Sequence, residues 1–500
     1  MKSKSYKSIM FAWIFLGPLL CMAKPDSLFL QGSFADTTGK SGEIIVCKIL
    51  RQNTPLDRQI IFTQIIRAKT SNGKFAFSLP ITSDRLEVTF SRINREGKAI
   101  MINCGNNMPA VYTFYKDDRP VLLIREGNDI TFSGRGSARL NCQTQLYGLT
   151  YLPQAALERV NELVNNGNYL TAYRTYLLFL RQQLTFKHAI LETYRDSLPK
   201  EAFYQIWDDQ KGLTYDAFYY GLYLSTGRYG SKGTTDTKIF LNEIENEHSS
   251  PDTSEAALLS PYYTSSLLLK EVVRVRNEPG GDTTVKLDFG KLYHSICSHY
   301  RGSLKDRLVL LAFLEFSTIK GNSLNYLDEA MAGMGDNESK KLLMEWRAQV
   351  SAGSPAFPFE LPDESGKTVK LRDFHGKIIV CDFWFTGCEN CLQIPSAMTA
   401  VCKKYAGNSK VVFLSINVDR QKKWWDFGLK QGTYSIPGSI HLSTFGEGVD
   451  HPFLKYYNYT ACPQLLVIGR DGKTVSAFPP DPRIEQGKPL IEMIDGLLKN

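Results

Sequence analysis

Histidine is scarce in this chain and cysteine is thinly spread. Among 500 residues there are seven histidines and ten cysteines, and Cys388 and Cys391 form the one closely spaced cysteine pair. Structural zinc sites usually combine two such pairs, so the sequence argues against a zinc-binding domain, and we expect no metal and no cofactor. The wide spacing of the other cysteines is equally untypical of a small disulfide-framework protein.

Long apolar runs and dense basic stretches are also missing. Beyond the first 23 residues, no stretch is long and apolar enough to cross a bilayer. The formal net charge of +8 is moderate for this length. Because no basic stripe with interleaved aromatic residues is present, we expect no nucleic-acid partner.

The N-terminus has the features of a secretory signal peptide. Three lysines in the first seven residues precede an apolar run at residues 9–20, and residues 21–23 offer a cleavage site. We expect residues 1–23 to be removed by a cut before Lys24, which would leave the mature protein in the periplasm or cell envelope. Lipid attachment at Cys21 is the weaker alternative, because Leu20 is large where that signal has a small residue. A permanent anchor is a third alternative, although the run is short for a membrane span.

Composition and periodicity divide the rest of the chain into three regions, so we predict a multidomain protein. Residues 24–140 carry short segments rich in Ile, Val, Phe and Thr between turn residues, which predicts a β-sandwich-like domain. Residues 143–350 change to helical spacing and predict an all-α region. Residues 351–355, Ser-Ala-Gly-Ser-Pro, predict a linker into a final α/β domain at residues 354–500.

Each region has its own predicted elements. Strands are predicted in the first region at residues 28–34, 43–50, 59–67, 74–79, 86–90, 100–104, 111–115, 121–124 and 129–132. Helices are predicted in the second at residues 169–196, 201–207, 215–223, 237–246, 254–276, 288–300, 303–320, 323–333 and 339–350. In the last region we predict strands at 410–419 and 440–442, helices at 421–430 and 452–459, a hairpin of 464–469 with 474–477, and a final helix opened by Pro489.

The most informative stretch is residues 377–391, Lys-Ile-Ile-Val-Cys-Asp-Phe-Trp-Phe-Thr-Gly-Cys-Glu-Asn-Cys. Its β-branched and aromatic residues predict a buried strand that ends before the two cysteines, and residues 392–405 predict a helix with a kink or break at Pro395. The unpaired N–H groups and positive dipole end of a helix favour a thiolate. We therefore predict that Cys388, first and more exposed, is the nucleophile and that Cys391 resolves the mixed disulfide.

The order Asp-Phe-Trp, then Cys-x-x-Cys, then a later Cys-Pro resembles the thioredoxin superfamily. The segment at residues 356–377 is similar to the entry of TlpA/ResA-type proteins, which are thiol–disulfide oxidoreductases of the bacterial envelope. The resemblance covers residues 354–500 and implies a thioredoxin-like fold there. The β-region at residues 24–140 resembles the β-domain that often precedes TlpA-like domains in envelope proteins of Bacteroidota.

The resemblance implies roles for four further residues. Asp382 matches an acid that takes the proton from the second cysteine; the alternative is a structural carboxylate satisfied by backbone donors. Pro463 matches a proline that is cis and faces the cysteine pair, and the residue before it, here Cys462, pairs with the substrate backbone. Cys462 is then either a small, tightly packed residue or an extra redox partner. Trp384 stands at its family position and completes the predicted substrate-binding set.

Two features near the cysteines leave questions open. Glu389 and Asn390 replace the common Gly-Pro between the cysteines, and a carboxylate there should raise the pKa of the neighbouring thiol and favour a less oxidising couple. A zinc site built from the pair with Cys381 and Cys402 is the structural alternative, although it lacks a second close pair.

These observations predict an extracytoplasmic thiol–disulfide oxidoreductase that acts on protein disulfides as a reductant or isomerase. Its electron donor would be a membrane thiol carrier. The rival from another class is an envelope binding protein whose thioredoxin-like domain is structural or redox-sensing. A peroxidase of the peroxiredoxin group fits poorly, because Thr386 is too close to Cys388 for the Thr-x-x-Cys spacing of that group.

Overall fold

The structure is a computed structural model. It describes residues 27–499 except 38–39, 51–61, 82–83, 97–98, 103, 106–107, 126–128, 150–152, 226–229, 248–253, 255–256, 259, 278–286, 317–322 and 445. The predicted signal peptide, with Cys21, lies outside the described residues. Among those that are described, no helix has the length and apolar character needed to cross a membrane. The chain forms two compact units, one mainly before Gln145 and the other from Gln145 onward.

The N-terminal region, which contains the first unit and short segments of the second, is β-rich, as predicted. Its strands are β1 Ser27–Phe34, β2 Ile44–Leu50, β3 Phe62–Lys69, β4 Lys74–Pro80, β5 Arg85–Ile93, β6 Ala99–Met101, β7 Cys104–Gly105, β8 Met108–Pro109, β9 Tyr112–Tyr115, β10 Arg119–Ile124 and β11 Ile130–Arg135. One sheet has the order β11-β10-β1-β4, and the other has β3-β2-β5-β6 with β9 also paired to β5. Phe132 of the first sheet packs against Tyr112 and Phe114 of the second, with ring centroids 5.3 and 6.1 Å away. The two sheets therefore share an aromatic core, as in a sandwich.

The second unit opens with helices. They are α1 Ser137–Gly148, which spans the boundary between the units, then α2 Gln154–Asn165, α3 Tyr169–Glu192, α4 Lys200–Ser225, α5 Gly230–Glu247, α6 Pro261–Arg276, α7 Phe289–His299, α8 Gly302–Phe316, α9 Leu327–Gly333 and α10 Glu338–Val350. Helices α1 and α2 were not predicted. The two helices predicted at 201–207 and 215–223 are one helix, α4, which crosses α6 closely. A Cβ atom on Gly212 of α4 would lie 2.2 Å from the backbone nitrogen of Tyr263, so this glycine serves close helix packing and does not break the helix.

The last region is an α/β fold. Its strands are β12 Glu360–Pro362, β13 Thr368–Lys370, β14 Ile378–Trp384, β15 Val411–Asn417, β16 Ile440–Ser443, β17 Gln464–Ile468 and β18 Thr474–Ser476, and its helices are α11 Gln393–Tyr405, α12 Lys422–Gln431, α13 Pro452–Tyr456 and α14 Lys488–Lys499. The main sheet has the order β16-β15-β14-β17-β18, with β14, β15 and β16 parallel and β17 and β18 antiparallel to their neighbours. The predicted hairpin is confirmed. The predicted break at Pro395 is wrong, because this proline lies in the first turn of α11, where no N–H partner is lost.

The central strand β14 is buried along its whole length. On one face, Ile378 and Val380 pack with side chains of α11 and α14. On the other face, Ile379 and Phe383 join a core that continues into α8 and α10. The helical and α/β regions therefore share one hydrophobic core. The predicted linker is not loose, since the N–H group of Gly353 donates to the carbonyl of Thr474 in β18 (2.8 Å).

Candidate active site

Cys388 and Cys391 lie between the end of β14 and the start of α11, joined by a disulfide bond. Cys391 sits in a short 3-10 turn, Asn390–Leu392, that leads directly into α11. Its N–H group donates to the Sγ atom of Cys388, at an N···S distance of 3.1 Å. Cys388 is 5% exposed and Cys391 is 1% exposed. Cys388 is therefore the more exposed of the two, as predicted, although both side chains are buried.

The turn before Cys388 is held by hydrogen bonds that it donates to Asp419, two residues after the end of β15. Both the N–H group and the hydroxyl of Thr386 donate to the carboxylate of Asp419, at 3.1 and 2.7 Å. Asn417 donates to the same carboxylate at 2.8 Å. Gly387 has a φ of +90°, a conformation that favours glycine. The turn that carries Cys388 is therefore anchored to the segment that follows β15.

A buried aromatic pair supports the same turn. Trp384 is fully buried, and its ring stacks on Tyr434 with a centroid distance of 5.3 Å and an interplanar angle of 5°. The hydroxyl of Tyr434 accepts a hydrogen bond from the N–H group of Gly387 (3.0 Å). Trp425 packs with the same cluster, which also contains both cysteines. Trp384, predicted to bind substrate, thus contacts the inside of the site and not its surface.

Asp382 is a buried carboxylate with no polar partner. It is 1% exposed, and neither of its oxygens has a hydrogen-bond partner among the described residues. The alternative of a structural carboxylate satisfied by backbone donors is therefore wrong. Its register partner in β15 is Ser415, whose buried hydroxyl also lacks a partner within that part of the chain. Burial raises the pKa of Asp382 well above its ordinary value.

The Cys462-Pro463 peptide bond is cis, as predicted. The carbonyl oxygen of Cys462 lies 3.7 Å from the Sγ atom of Cys388, so the backbone before the proline borders the disulfide. Burial raises the pKa of the Cys462 thiol, and the charges of Asp382 and Asp419 raise it further. A raised pKa disfavours the thiolate, which supports a small packing residue over an extra redox partner.

The remaining cysteines of the zinc alternative do not join the pair. Cys381 lies on the face of β14 opposite Asp382 and packs in the core shared with the helical region. Cys402 packs among apolar side chains of α11 and α14. Within the described ranges, no group of three or more His, Cys, Asp or Glu side chains could hold a metal ion.

Sequence reasoning missed three residues beside the site: Asp419 and Tyr434, which hold the turn, and Ser415, the register partner of Asp382. Asp419 follows the end of β15, and the carboxyl ends of adjacent parallel strands meet at one edge of a sheet. That rule could have placed Asp419 beside the cysteine motif. Ser415 could have been found from the same pairing of β14 with β15. Tyr434 lies in a loop after α12, and no local pattern marks it.

Comparisons with known proteins agree with this geometry. Residues 352–475 match the AhpC/TSA family. The chain is 29% identical over 129 residues to "Thiol-disulfide oxidoreductase ResA" of Bacillus subtilis, covering 26% of this chain and 68% of that protein. It is 25% identical over 146 residues to the protein of the same name from Bacillus thuringiensis, covering 29% of this chain and 80% of that one.

A solved structure from Bacteroides vulgatus, described as a candidate thiol-disulfide oxidoreductase, is 30% identical with a TM-score of 0.26. It is matched over 29% of this chain and 98% of its own. The strand order, the cysteine pair and the family match concern the same C-terminal region. The C-terminal region thus contains an AhpC/TSA domain of thioredoxin-like fold, and it is similar to the ResA thiol–disulfide oxidoreductases.

Proposed function

We propose that this protein is an extracytoplasmic thiol–disulfide oxidoreductase that reduces or isomerises protein disulfides through Cys388 and Cys391. The observation that carries the proposal is the disulfide itself, bordered by the Cys391 N–H group and by the Cys462 carbonyl. An N–H group aimed at sulfur stabilises the thiolate that forms on reduction. A carbonyl beside that sulfur can accept a hydrogen bond from a substrate backbone.

The reaction proceeds in two exchanges. The thiolate of Cys388 attacks one sulfur of a substrate disulfide, forms a mixed disulfide and releases the other substrate sulfur as a thiolate. The thiolate of Cys391 then attacks Cys388, which releases the second substrate thiolate and forms the Cys388–Cys391 disulfide. Two electrons pass to the substrate, and its two thiolates take protons from solvent. A membrane dithiol carrier then reduces the Cys388–Cys391 pair by the same exchange and returns two electrons.

Asp382 supplies the base for the second exchange. It lies on the face of β14 that α11 covers, the helix that begins directly after Cys391. Because burial raises the pKa of this carboxyl, it binds a proton more readily than a surface aspartate does. It therefore accepts the proton of the Cys391 thiol as that sulfur attacks.

The other predicted site residues bind the substrate backbone or hold the cysteine turn in place. Cys462 and Pro463 border the substrate backbone, and Trp384 holds the turn before Cys388 from inside. Residues 1–23 direct export and are removed. The proposed domains are residues 24–140, 143–350 and 354–500. The first of these is proposed to be an envelope β-domain.

Reduction potential is the first measurement. The mature protein is equilibrated with glutathione buffers and the Cys388–Cys391 state is quantified beside a Cys388→Ser control. We expect a potential near that of thioredoxin, about −270 mV. A value near about −120 mV would indicate an oxidant and reverse the proposed direction.

A pair that never titrates would instead favour the envelope binding protein. Hydrogen peroxide consumption is the control for a peroxidase. We expect none above the Cys388→Ser variant, since the hydroxyl of Thr386 is already engaged by Asp419.

A further inference from the structure

The chain between helix α13 and strand β17 connects the cysteine pair to the helical region. We call residues 458–463, which end at the proline, the Cys-Pro segment. Its Cys462 side chain packs in one cluster with both cysteines of the pair, and it also packs against the core that contains side chains of α8 and α10. The segment therefore contacts the redox site and the helical region at once.

Asn458 ties the start of this segment to helix α8. Its side-chain amide donates to the carbonyl of Leu314 in the last turn of α8, at an N···O distance of 2.6 Å. Because a carbonyl only accepts hydrogen bonds, this contact requires a donor at position 458. Asn458 also has a φ of +57°, and the next N–H group, that of Tyr459, donates to the carbonyl of Leu454 (2.8 Å). One residue thus turns the chain out of α13 and anchors it to α8.

Helix α10 supports the next residue of the segment. Tyr459 is 1% exposed, and its hydroxyl lies within hydrogen-bond distance of the carbonyls of Leu465 in β17 and Ala477. Its ring centroid lies 6.2 Å from that of Phe478. Phe478 in turn stacks on the buried Trp346 of α10, at 6.1 Å and an interplanar angle of 29°. A row of aromatic rings therefore leads from α10 to the Cys-Pro segment.

The position of this segment matters for one class of substrate. In the proposed reaction the Cys462 carbonyl, 3.7 Å from the Sγ atom of Cys388, accepts a hydrogen bond from the substrate backbone. Hydrogen bonds weaken steeply as their geometry departs from linear, so a shift of the segment would weaken this contact. A small disulfide without a peptide backbone makes no such bond. Polypeptide and small disulfides therefore report separately on the segment and on Cys388.

We propose that Asn458 and Trp346 are positioning residues, through which the helical region holds the Cys462 carbonyl in place for the substrate backbone. Both act through the Cys-Pro segment and not on the reacting sulfurs themselves. This rests on the proposed function, and it gives helices α8 and α10 a part in the binding of polypeptide substrates.

The test measures single-turnover oxidation of the reduced, mature protein by a peptide disulfide and by hydroxyethyl disulfide, which has no peptide backbone. In both reactions the Cys388–Cys391 dithiol gives two electrons to the substrate disulfide, which becomes two thiols. Asn458→Asp keeps the size of the side chain but loses the donor to Leu314. We expect its second-order rate constant with the peptide disulfide to fall about three- to tenfold, as for one lost hydrogen bond. With hydroxyethyl disulfide we expect the wild-type rate.

Trp346 is tested beside its own conservative variant. Trp346→Leu removes the ring that stacks on Phe478 and should reproduce the selective loss with the peptide disulfide. Trp346→Phe retains an aromatic ring and should recover most of the wild-type rate. The matched control is Phe240→Leu, which opens a cavity in a different hydrophobic cluster of the helical region, that of α3, α4 and α5. This control should keep both wild-type rates.

Asn458→Gly, which adopts a φ of +57° easily and also lacks the donor, replaces Asn458→Asp if that variant does not fold. Losses of equal size with both disulfides, or the same selective loss in Phe240→Leu, would overturn the positioning role. Wild-type rates with the peptide disulfide in the Asn458 and Trp346→Leu variants would overturn it as well. If the wild-type protein reduces neither disulfide, the proposed function fails and the positioning role fails with it.

Discussion

Two carboxylates in this protein are equally buried but have opposite surroundings. Asp382 in the α/β region is 1% exposed and has no polar partner among the described residues, while Glu271 in helix α6 is fully buried. Glu271 is surrounded by donors: Ser295 at 2.7 Å, Tyr300 at 3.0 Å and Arg274. His299 lies 3.2 Å away.

The two acids therefore titrate in opposite directions. Burial raises the pKa of Asp382. Burial also acts to raise the pKa of Glu271, but hydrogen bonds from His299 and Ser295 and the charge of Arg274 outweigh it and lower the pKa to about 2. The supply of partners, and not burial itself, decides whether a buried acid stays ionised. The donors around Glu271 favour its charged form, whereas the acid that lacks donors, Asp382, is the one that we propose as a base.

The largest effect is expected on the rate at which Cys391 resolves the mixed disulfide on Cys388. Asp382→Asn should slow the attack of Cys391 on a Cys388 mixed disulfide by roughly 10²–10³-fold, because the base is lost. The rate is measured as release of thionitrobenzoate from Cys388 in single turnover.

Glu271→Gln is the matched control, since it removes the other buried charge, whose partners are all in the helical region, and it should leave this rate unchanged. An Asp382→Asn rate within threefold of wild type would contradict the assigned role.

The next effect is on stability. Glu271→Ala should lower the free energy of unfolding by about 3–5 kcal/mol, because Arg274 and His299 lose their buried counter-charge. Thermal denaturation at pH 5.5 measures it. Above pH 4.5 the stability given by the lowered pKa of Glu271 is fully present. Below pH 6.5 the stability given by the raised pKa of His299 is present too.

Glu271→Gln, which keeps a hydrogen-bonding group, should cost clearly less than Glu271→Ala. Equal costs would mean that volume, and not the network, is what α6 needs.

Asp382→Asn should raise the free energy of unfolding, where Glu271→Ala lowers it, and the change should be smaller. Between the ordinary value of 3.8 and its raised pKa in the folded state, the native protein binds more protons than the unfolded chain, so stability falls as pH rises. An amide carries no such penalty. We expect the variant to be more stable than wild type by about 1–3 kcal/mol at pH 8, with the gain lost below about pH 4. A variant less stable at pH 8 would show that Asp382 has an undetected partner.

This comparison also shows what sequence can and cannot predict. The strand before the cysteines, the cis Cys462-Pro463 bond and the hairpin after it were predicted, because local composition and motif order specify them. The missing partner of Asp382 could not be predicted, since it depends on what every neighbouring strand and helix presents. The same holds for the partners of Glu271, which come from α6, from α7 and from Tyr300, the residue directly after α7.

Errors in the helical region have a similar origin. Two helices were predicted where the structure has the single helix α4, and the gap between them contains Gly212, a weak helix former. The structure keeps one helix, since α4 packs there directly on the backbone of Tyr263. Hydrogen bonds from Ser260 and Ser265 of the α6 segment to Asp209 and Asp216 of α4 complete this contact. Tertiary packing, which propensity does not report, decided the outcome.

The smallest predicted effect concerns Ser415 and the pKa of Asp382. Ser415 shares the register position and face of Asp382 on the adjacent strand, and its buried hydroxyl has no partner among the described residues. When Asp382 ionises, the hydroxyl of its register partner can turn and donate to it, which favours the charged form. Ser415→Ala should therefore raise the pKa of Asp382 further, moving the midpoint of the pH–rate profile of resolution upward by about half a unit.

In the Asp382→Asn background, Ser415→Ala should not shift this midpoint, because the titrating group is gone. A midpoint that is the same with and without the hydroxyl would mean that Asp382 ionises without help from the protein, the extreme opposite of Glu271.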